Sequence, residues 1–452
     1  MRDTKVDMLH GPLAGKLFWF ALPIAASSML QQLFNAADTA VVGKFADAAA
    51  LAAVGTNGEI VAFIVSLSAG LAVGTNVLLG MCIGKGEKKD IQGVIQTAMV
   101  LALAVGLVGL LLGQVVARPI LVLIHTPEEI LDLAVQYLRI YCLGYPALLV
   151  YDFGSAILRS KGDSRRPFLI LTFSGFINVG LNLFFVIVCG LGVAGVAIAT
   201  DLSTLFSAWM VVWWLIRETD EIRLSVESLC FSGKFVGKIV SIGLPAGLQG
   251  AVFCLANIFI QSAVNSFGSI AVAGSAISMN YEYFSYYILS ACGQAATTFV
   301  SQNYAAGNRQ RCRRILVLCL VGSVLFDSIV NTPLVIWRQA FSGIFSSETA
   351  VLEAACQRML IVLALGPVCG LYEVPAGVMR GMGYSLRPAL MTMLGICLFR
   401  IVWVETVFRQ VRTLPCLFIV FPITWAITLV LIWGTFRFVA WDKLKGNEGS
   451  AA

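Results

Sequence analysis

The chain alternates between long apolar stretches and short polar turns, and this alternation leaves it few ways to fold. A helix needs about 20 apolar residues to cross a bilayer. Inside the hydrocarbon every backbone N–H and C=O has to be bonded within the protein, so each stretch is read as a helix. Hydropathy along the 452 residues gives twelve spans, at roughly 17–42, 50–84, 91–117, 133–158, 168–190, 193–216, 238–265, 270–303, 313–337, 354–379, 388–408 and 414–440. The second and eighth are long enough to project beyond the bilayer. The expected fold is an all-α polytopic membrane protein with no separate soluble domain. Only 12% of the residues are charged, against roughly 25% in soluble domains.

Composition excludes several functions. The net charge of +6 comes from basic residues dispersed between spans, which is not the clustered face that binds nucleic acid. Twelve cysteines are scattered singly with no CxxC pair, so they read as small buried hydrophobes. His10 and His125 are the only histidines. There is no metal-spaced His set, no nucleophile motif and no phosphate loop, so neither an enzyme nor a resident metal or cofactor is expected. The first apolar run is too long for a cleavable signal.

The basic residues set the orientation. Twenty-three Lys and Arg residues fall at one set of span ends, as in Lys85, Lys88, Arg165 and Arg166, while five fall at the other: Lys44, Arg118, Arg338, Arg409 and Arg412. By the positive-inside rule both termini are cytoplasmic. The chain also repeats itself. Leu22-Pro23 and Asn35 recur as Leu244-Pro245 and Asn257 after 222 residues, and Pro146, Arg159 and Pro167 recur as Pro367, Arg380 and Pro388 after 221. The loop RSKGDSRRP (159–167) aligns with RGMGYSLRP (380–388). Two parallel six-helix lobes are therefore expected, residues 1–216 and 238–452, joined by a cytoplasmic linker at 217–237. Their pseudo-two-fold axis would lie along the membrane normal.

The first span carries the strongest chemical signal. Ser28, Gln31, Asn35 and Asp38 are spaced three, four and three apart, which places them on one helix face. A carboxylate at membrane depth costs on the order of 2.5–3.5 kcal/mol and marks a functional site by default. Pro23, about four turns earlier, interrupts the hydrogen-bond ladder and makes a hinge.

These features together resemble the multidrug and toxic compound extrusion (MATE) transporters, bacterial type. The resemblance rests on LPIAASSMLQQLFNAADTAVVG in the first span, ALAAVG at 50–55, the paired loops, and SQNYAAGNRQR at 301–311. It implies a V-shaped pair of lobes and antiport, in which inward proton or sodium flow drives export of amphipathic, often cationic compounds. It also implies an ion-coupling site at Asp38, Asn178, Asn182 and Thr200. Asn182 departs from the pattern, since many relatives have a carboxylate there. One acid with two amides and a hydroxyl suits a single exchangeable proton, because amides bond either form of a carboxyl group. All four supply oxygen, so sodium is the alternative ion. Asp201 follows Thr200, but adjacent helix positions point about 100° apart. Sodium-coupled relatives use carboxylates on the seventh and tenth helices; Glu373 matches the second and nothing matches the first, which favours the proton.

The remaining polar residues divide between substrate contact and structure. Gln31, Asn35, Glu59, Asn257, Gln261, Tyr281, Glu282 and Glu373 are the candidates for a substrate cleft. Glu59 and Glu282 occupy near-equivalent positions suited to attracting a cation, and the tyrosines around Glu282 suit stacking. Asn257, Gln261 and Asn265 form an amide ladder that also serves as interhelical glue. Asp152 and Glu373 are equivalent positions that suit a role in the fold or an inner gate. Asp327 is the expected partner of Arg400. The expected function is multidrug efflux from a bacterial inner (plasma) membrane by a monomer whose partners are small molecules and the lipid bilayer. The alternative is a flippase for lipid-linked oligosaccharide or lipid, which would want a cationic cavity.

Overall fold

The computed structural model describes residues 5–46, 48–225 and 231–445. Arg2, part of the charge tally, and the middle of the linker lie outside the described residues. Among the described residues there is no strand. The helices are α1 Leu13–Phe45, α2 Ala48–Lys85, α3 Lys88–Leu123, α4 Glu128–Leu143, α5 Tyr145–Ser160, α6 Arg165–Leu183, α7 Gly192–Arg217, α8 Gly233–Asn265, α9 Ser269–Ala305 and α10 Arg309–Ile336. They are followed by α11 Arg338–Gly343, α12 Thr349–Val362, α13 Val368–Gly381, α14 Leu386–Thr392, α15 Phe399–Glu405, α16 Val407–Gln410, α17 Leu414–Phe418, α18 Val420–Phe436 and α19 Asp442–Lys445. Wider π-helical turns occupy Phe184–Val188, Met393–Leu398 and Arg437–Trp441.

Among the described residues, nine of these rods are long and apolar enough to cross a membrane, and the bent pair α4–α5 makes a tenth. The other two of the twelve expected spans are α9, with polar residues such as Asn280 and Glu282 along its length, and the pair α12–α13, interrupted by turns at 363–367. The fourth and tenth spans, expected as continuous helices, are therefore each broken. Gly144 and Pro146 lie at the first break, Gly366 and Pro367 at the second. Proline lacks the N–H that a continuing helix needs.

The chain packs as two compact units. The first comprises Met1–Asp7 and Ala26–Gly247; the second comprises Met8–Ala25 and Leu248–Ala452. This division differs from the boundaries that the repeat suggests. The linker is part of the first unit, because Ile222 and Leu224 are buried in its core. Helices α1 and α8 each contribute to both units. Each changes unit two residues after its proline, Pro23 and Pro245.

In the first unit α2 and the early part of α8 meet backbone to backbone. A Cβ on Gly70 would lie 2.1 Å from the Gly247 Cα, and one on Gly74 would lie 2.1 Å from the Ile239 carbonyl oxygen. Gly70 and Gly74, and Gly243 and Gly247, are each four apart, the small-xxx-small pattern that brings membrane helices close. The repeated loops close alike. Gly162 and Gly383 take positive φ, 95° and 90°. In both loops this glycine's N–H bonds back three residues and the next N–H bonds back five, to Arg159 and Leu158 in one and to Arg380 and Met379 in the other. That is a Schellman helix end, which favours glycine. In the second unit the early part of α1 packs on α9, where Phe20 meets Phe299 edge to face at 5.4 Å and Asn303 donates to the Met8 carbonyl.

The linker is held by charge. Lys5 Nζ lies 2.6 Å from both Glu218 and Asp220, and Arg166 also bonds Glu218. Burial by itself would raise the Glu218 pKa, but the Lys5 and Arg166 bonds outweigh it and hold Glu218 below its ordinary range. The Lys5 bond likewise lowers Asp220. Depressed carboxylate pKa values contribute stability that is present above the ordinary range and lost as pH falls through the folded values.

Two outcomes are expected. Gly70→Val should destabilise the protein by about 1–3 kcal/mol or more, since backbone cannot move aside as a side chain does. Gly55→Ala, with open space around it, should not; thermal unfolding in detergent compares them. Limited proteolysis within 217–237 should rise only below about pH 4 in the wild type, and should already be fast at pH 7 in Glu218→Gln.

Candidate functional site

The four residues expected to form one site come together in the first unit. Asp38 lies on the C-terminal half of α1, Asn178 and Asn182 lie one turn apart on α6, and Thr200 lies on α7. The Asn182 amide donates to Asp38 Oδ1 at 2.5 Å and to Asn178 Oδ1 at 3.2 Å. The Asn178 amide donates to Thr200 Oγ1 at 3.4 Å, and the Thr200 hydroxyl donates to the Val196 carbonyl. Asn182 thus donates both ways, once to the carboxylate and once to Asn178, and from Asn178 the donors run on through Thr200 to the Val196 carbonyl. Asn182 is fully buried and its Oδ1 accepts no hydrogen bond. No cation pairs with Asp38 among the described residues.

Local packing holds the chain in place. Gly175 of α6 receives the Phe34 ring of α1 where a Cβ would otherwise sit. Phe34 also meets Phe176 edge to face at 6.1 Å. Ser174 donates to the Ser203 carbonyl at 2.7 Å and ties α6 to α7. One residue after Asn182 ends α6, the ladder widens into the π turn Phe184–Val188, a feature often found at functional sites.

The other candidates are distributed between the units. Gln31, Asn35 and Glu59 are exposed within apolar spans of the first unit. Glu59 has no hydrogen-bond or ion-pair partner among the described residues. In the second unit both acids are already paired. Glu282 takes Arg358 through two bonds of 2.7 and 2.8 Å and a third from Ser278 at 2.7 Å. Glu373 takes Arg380 at 3.2 Å. Tyr281 donates to the Phe341 carbonyl and packs edge to face on Phe341 and Phe345, so this ring belongs to the core. Gln261 donates to Asn265, as the ladder predicts.

Arg400 differs from its expectation. Its partner is Asn257, at 3.2 Å, and its guanidinium lies over Phe421 at 4.3 Å and Phe253 at 5.3 Å. Asp327 is held instead by Ser285 at 2.6 Å and Asn331 at 3.0 Å. The reason lies in the broken tenth span. Asn331 also donates to the Leu363 carbonyl at 3.1 Å, which takes the Gly366 N–H at 3.2 Å but has no donor four residues on, where Pro367 stands, so the Asp327 cluster is anchored there. Asn257 is the 222-shifted counterpart of Asn35, and Arg400 the 221-shifted counterpart of Val179. Helices that meet through an acid and an amide in the first unit therefore meet through an amide and a cation in the second.

The comparison with known proteins follows the same two-fold pattern. The family model described as MatE matches twice, over residues 23–184 and 245–404. The chain belongs to the MatE family. Probable multidrug resistance protein YoeA of Bacillus subtilis (strain 168) is 23% identical over 435 residues, 94% of this chain and 93% of its own. A protein of Shewanella oneidensis named FAD transporter is 26% identical over 373 residues, 81% of this chain and 82% of its own. Among solved structures, the outward-facing conformation of a multidrug resistance MATE family transporter superposes with a TM-score of 0.90 at 19% identity, covering 98% of this chain and 99% of that one. This MatE protein thus has the family's twelve-helix, two-lobe fold, and its family is one of transporters.

Two polar clusters of this MatE chain escaped the sequence reading. Asp201 turns away from the Asp38 chain and sits at the break in the fourth span, where a Cβ on Gly144 would lie 2.2 Å from its carboxylate oxygen. Asp327 and Asn331 face Gly366 at the break in the tenth. The legible signal was glycine one or two residues before proline, 221 or 222 residues apart. The acids come from different helices, α7 and α10, so the repeat could not reveal them.

Glu282→Gln should destabilise the protein by about 3–5 kcal/mol, because it strands the buried Arg358. The double variant Glu282→Leu with Arg358→Met should recover most of that loss. Thermal unfolding of the three purified proteins tests this.

Proposed function

We propose that this MatE protein is a secondary-active antiporter of a bacterial inner membrane, with both termini cytoplasmic, that exports amphipathic and often cationic compounds. The driving ion is a proton exchanged at Asp38, with sodium as the less favoured alternative. Asp38, Asn178, Asn182 and Thr200 would supply the oxygens in either case. One observation carries the reading: a carboxylate at membrane depth is held by neutral donors alone. Such a group can lose its charge without stranding a counter-ion. When Asp38 takes up a proton, Asn182 can present its unbonded Oδ1 to the new O–H by turning its amide. The α1 segment beyond Pro23 then changes its seat, the site closes and the substrate leaves outward. Release of the proton to the cytoplasm resets the cycle. Glu59, Gln31 and Asn35, exposed and polar in apolar spans, suit contact with a cationic substrate. The names of relatives such as YoeA support multidrug export.

Asp38→Asn should reach the membrane at the wild-type level and lose proton-driven export of a fluorescent cation from proteoliposomes. Full export by this variant would overturn the coupling role. Proton and sodium gradients imposed separately identify the ion.

A second reading has one observation in its favour. Arg400, buried beside Asn257 with no acid paired to it among the described residues, suits a substrate with an anionic group, and one relative is named FAD transporter. Flavin dinucleotide in place of the dye, in the same vesicles, separates the two readings.

A further inference from the structure

A cavity of about 760 Å3 in the second unit takes no part in the transport scheme. It opens at the basic end of the helices, among the residues before α1, the turn between α9 and α10, the first turns of α10, and α19. His10, Arg309, Arg311, Arg313, Arg314 and Lys445 line it, and among the described residues no acid does. Arg311 and Arg313 also act as fasteners. Arg311 bonds the Met8, His10 and Gly11 carbonyls at 2.9–3.1 Å, and Arg313 bonds that of Leu444 at 2.8 Å. Together they hold the approach to α1 and the end of α19 around the opening.

The other cations are differently placed. The Arg309 guanidinium rests on the Tyr304 ring at 3.8 Å, and its buried Nη1 has no hydrogen-bond partner among the described residues. Arg309, Arg314 and Lys445 form no ion pair among the described residues. The basic end of the first unit is unlike this. There Lys5, Lys88, Lys161 and Arg166 each face an acid, among them Glu218 and Glu221. Orientation in a membrane needs positive charge at one side, but it does not need cations gathered in a cavity whose described lining holds no acid.

The surface next to the cavity is apolar. From Arg314, α10 continues as Val317, Val321, Leu325 and Ile329, spaced three or four apart and each more than half exposed. We propose that the cavity binds the phosphate headgroup of an anionic phospholipid whose acyl chains lie along this stripe of α10. Guanidinium groups match phosphate oxygens in geometry and charge. Basic pockets at the cytoplasmic ends of membrane helices take such headgroups.

The test uses the full-length protein in neutral detergent. Thermal unfolding is followed while phosphatidylglycerol, phosphatidylcholine or inorganic phosphate is added. Phosphatidylglycerol should raise the Tm, and the other two should not. Arg309→Gln with Arg314→Gln should require about thirtyfold more phosphatidylglycerol for the same shift, from the loss of two charges near the headgroup. Arg309→Lys with Arg314→Lys should keep most of the response. An equal shift with phosphatidylcholine, or a Gln variant that responds like the wild type, would overturn the proposal. A shift with inorganic phosphate alone would make this a soluble-anion site and also overturn it. If the Gln variant does not fold, native mass spectrometry of the wild type from mixed micelles decides: enrichment of phosphatidylglycerol supports the site, and retention in the supplied ratio refutes it.

Discussion

A charge placed inside hydrocarbon must find its compensation within the protein, and the acids of this chain find it in two ways. In the second unit Glu282 and Glu373 are matched to Arg358 and Arg380, while Asp327 is held by the neutral Ser285 and Asn331. In the first, Asp38 is held by an amide, and Asp152 receives the Ser68 hydroxyl. The difference decides which acid can change its charge at low cost. An acid paired with arginine cannot be neutralised without leaving a buried cation alone, which is costly. An acid held by neutral donors exchanges one set of hydrogen bonds for another. Reversible protonation is therefore cheaper at Asp38 than at Glu282 or Glu373, which supports the proposed coupling site.

The repeat makes this division visible. The backbone keeps the duplication closely, down to the left-handed glycines at 162 and 383 and the breaks in the fourth and tenth spans. The side chains do not. Ile260 stands where the shift of 222 puts the counterpart of Asp38, and Arg400 stands opposite Val179. Internal symmetry in this fold is a property of helix ends and close approaches, whereas the chemistry at depth has diverged.

The features legible in sequence were those that depend on local pattern. Apolar length gave the twelve spans, and a constant shift of 221–222 residues gave the two lobes. The face shared by Ser28, Gln31, Asn35 and Asp38 pointed to the helix of the proposed coupling site. Family resemblance added Asn178, Asn182 and Thr200, which do meet Asp38 in one chain of bonds. Pairings across helices were not legible. Nothing local to Glu282 indicates that Arg358 will fill its carboxylate, and nothing local to Asp327 indicates that it belongs to Asn331 rather than Arg400. Those choices follow from which turns break, and so from carbonyl groups such as that of Leu363 that a continuous helix would have satisfied itself.

Helices α1 and α8 each begin in one unit and finish in the other. Neither lobe is therefore self-sufficient: cut at the linker, each fragment would lack the helical segment that the opposite half lends it. Carrying both halves on one chain makes that exchange intramolecular, and it ensures that both are present in equal number whenever either one folds.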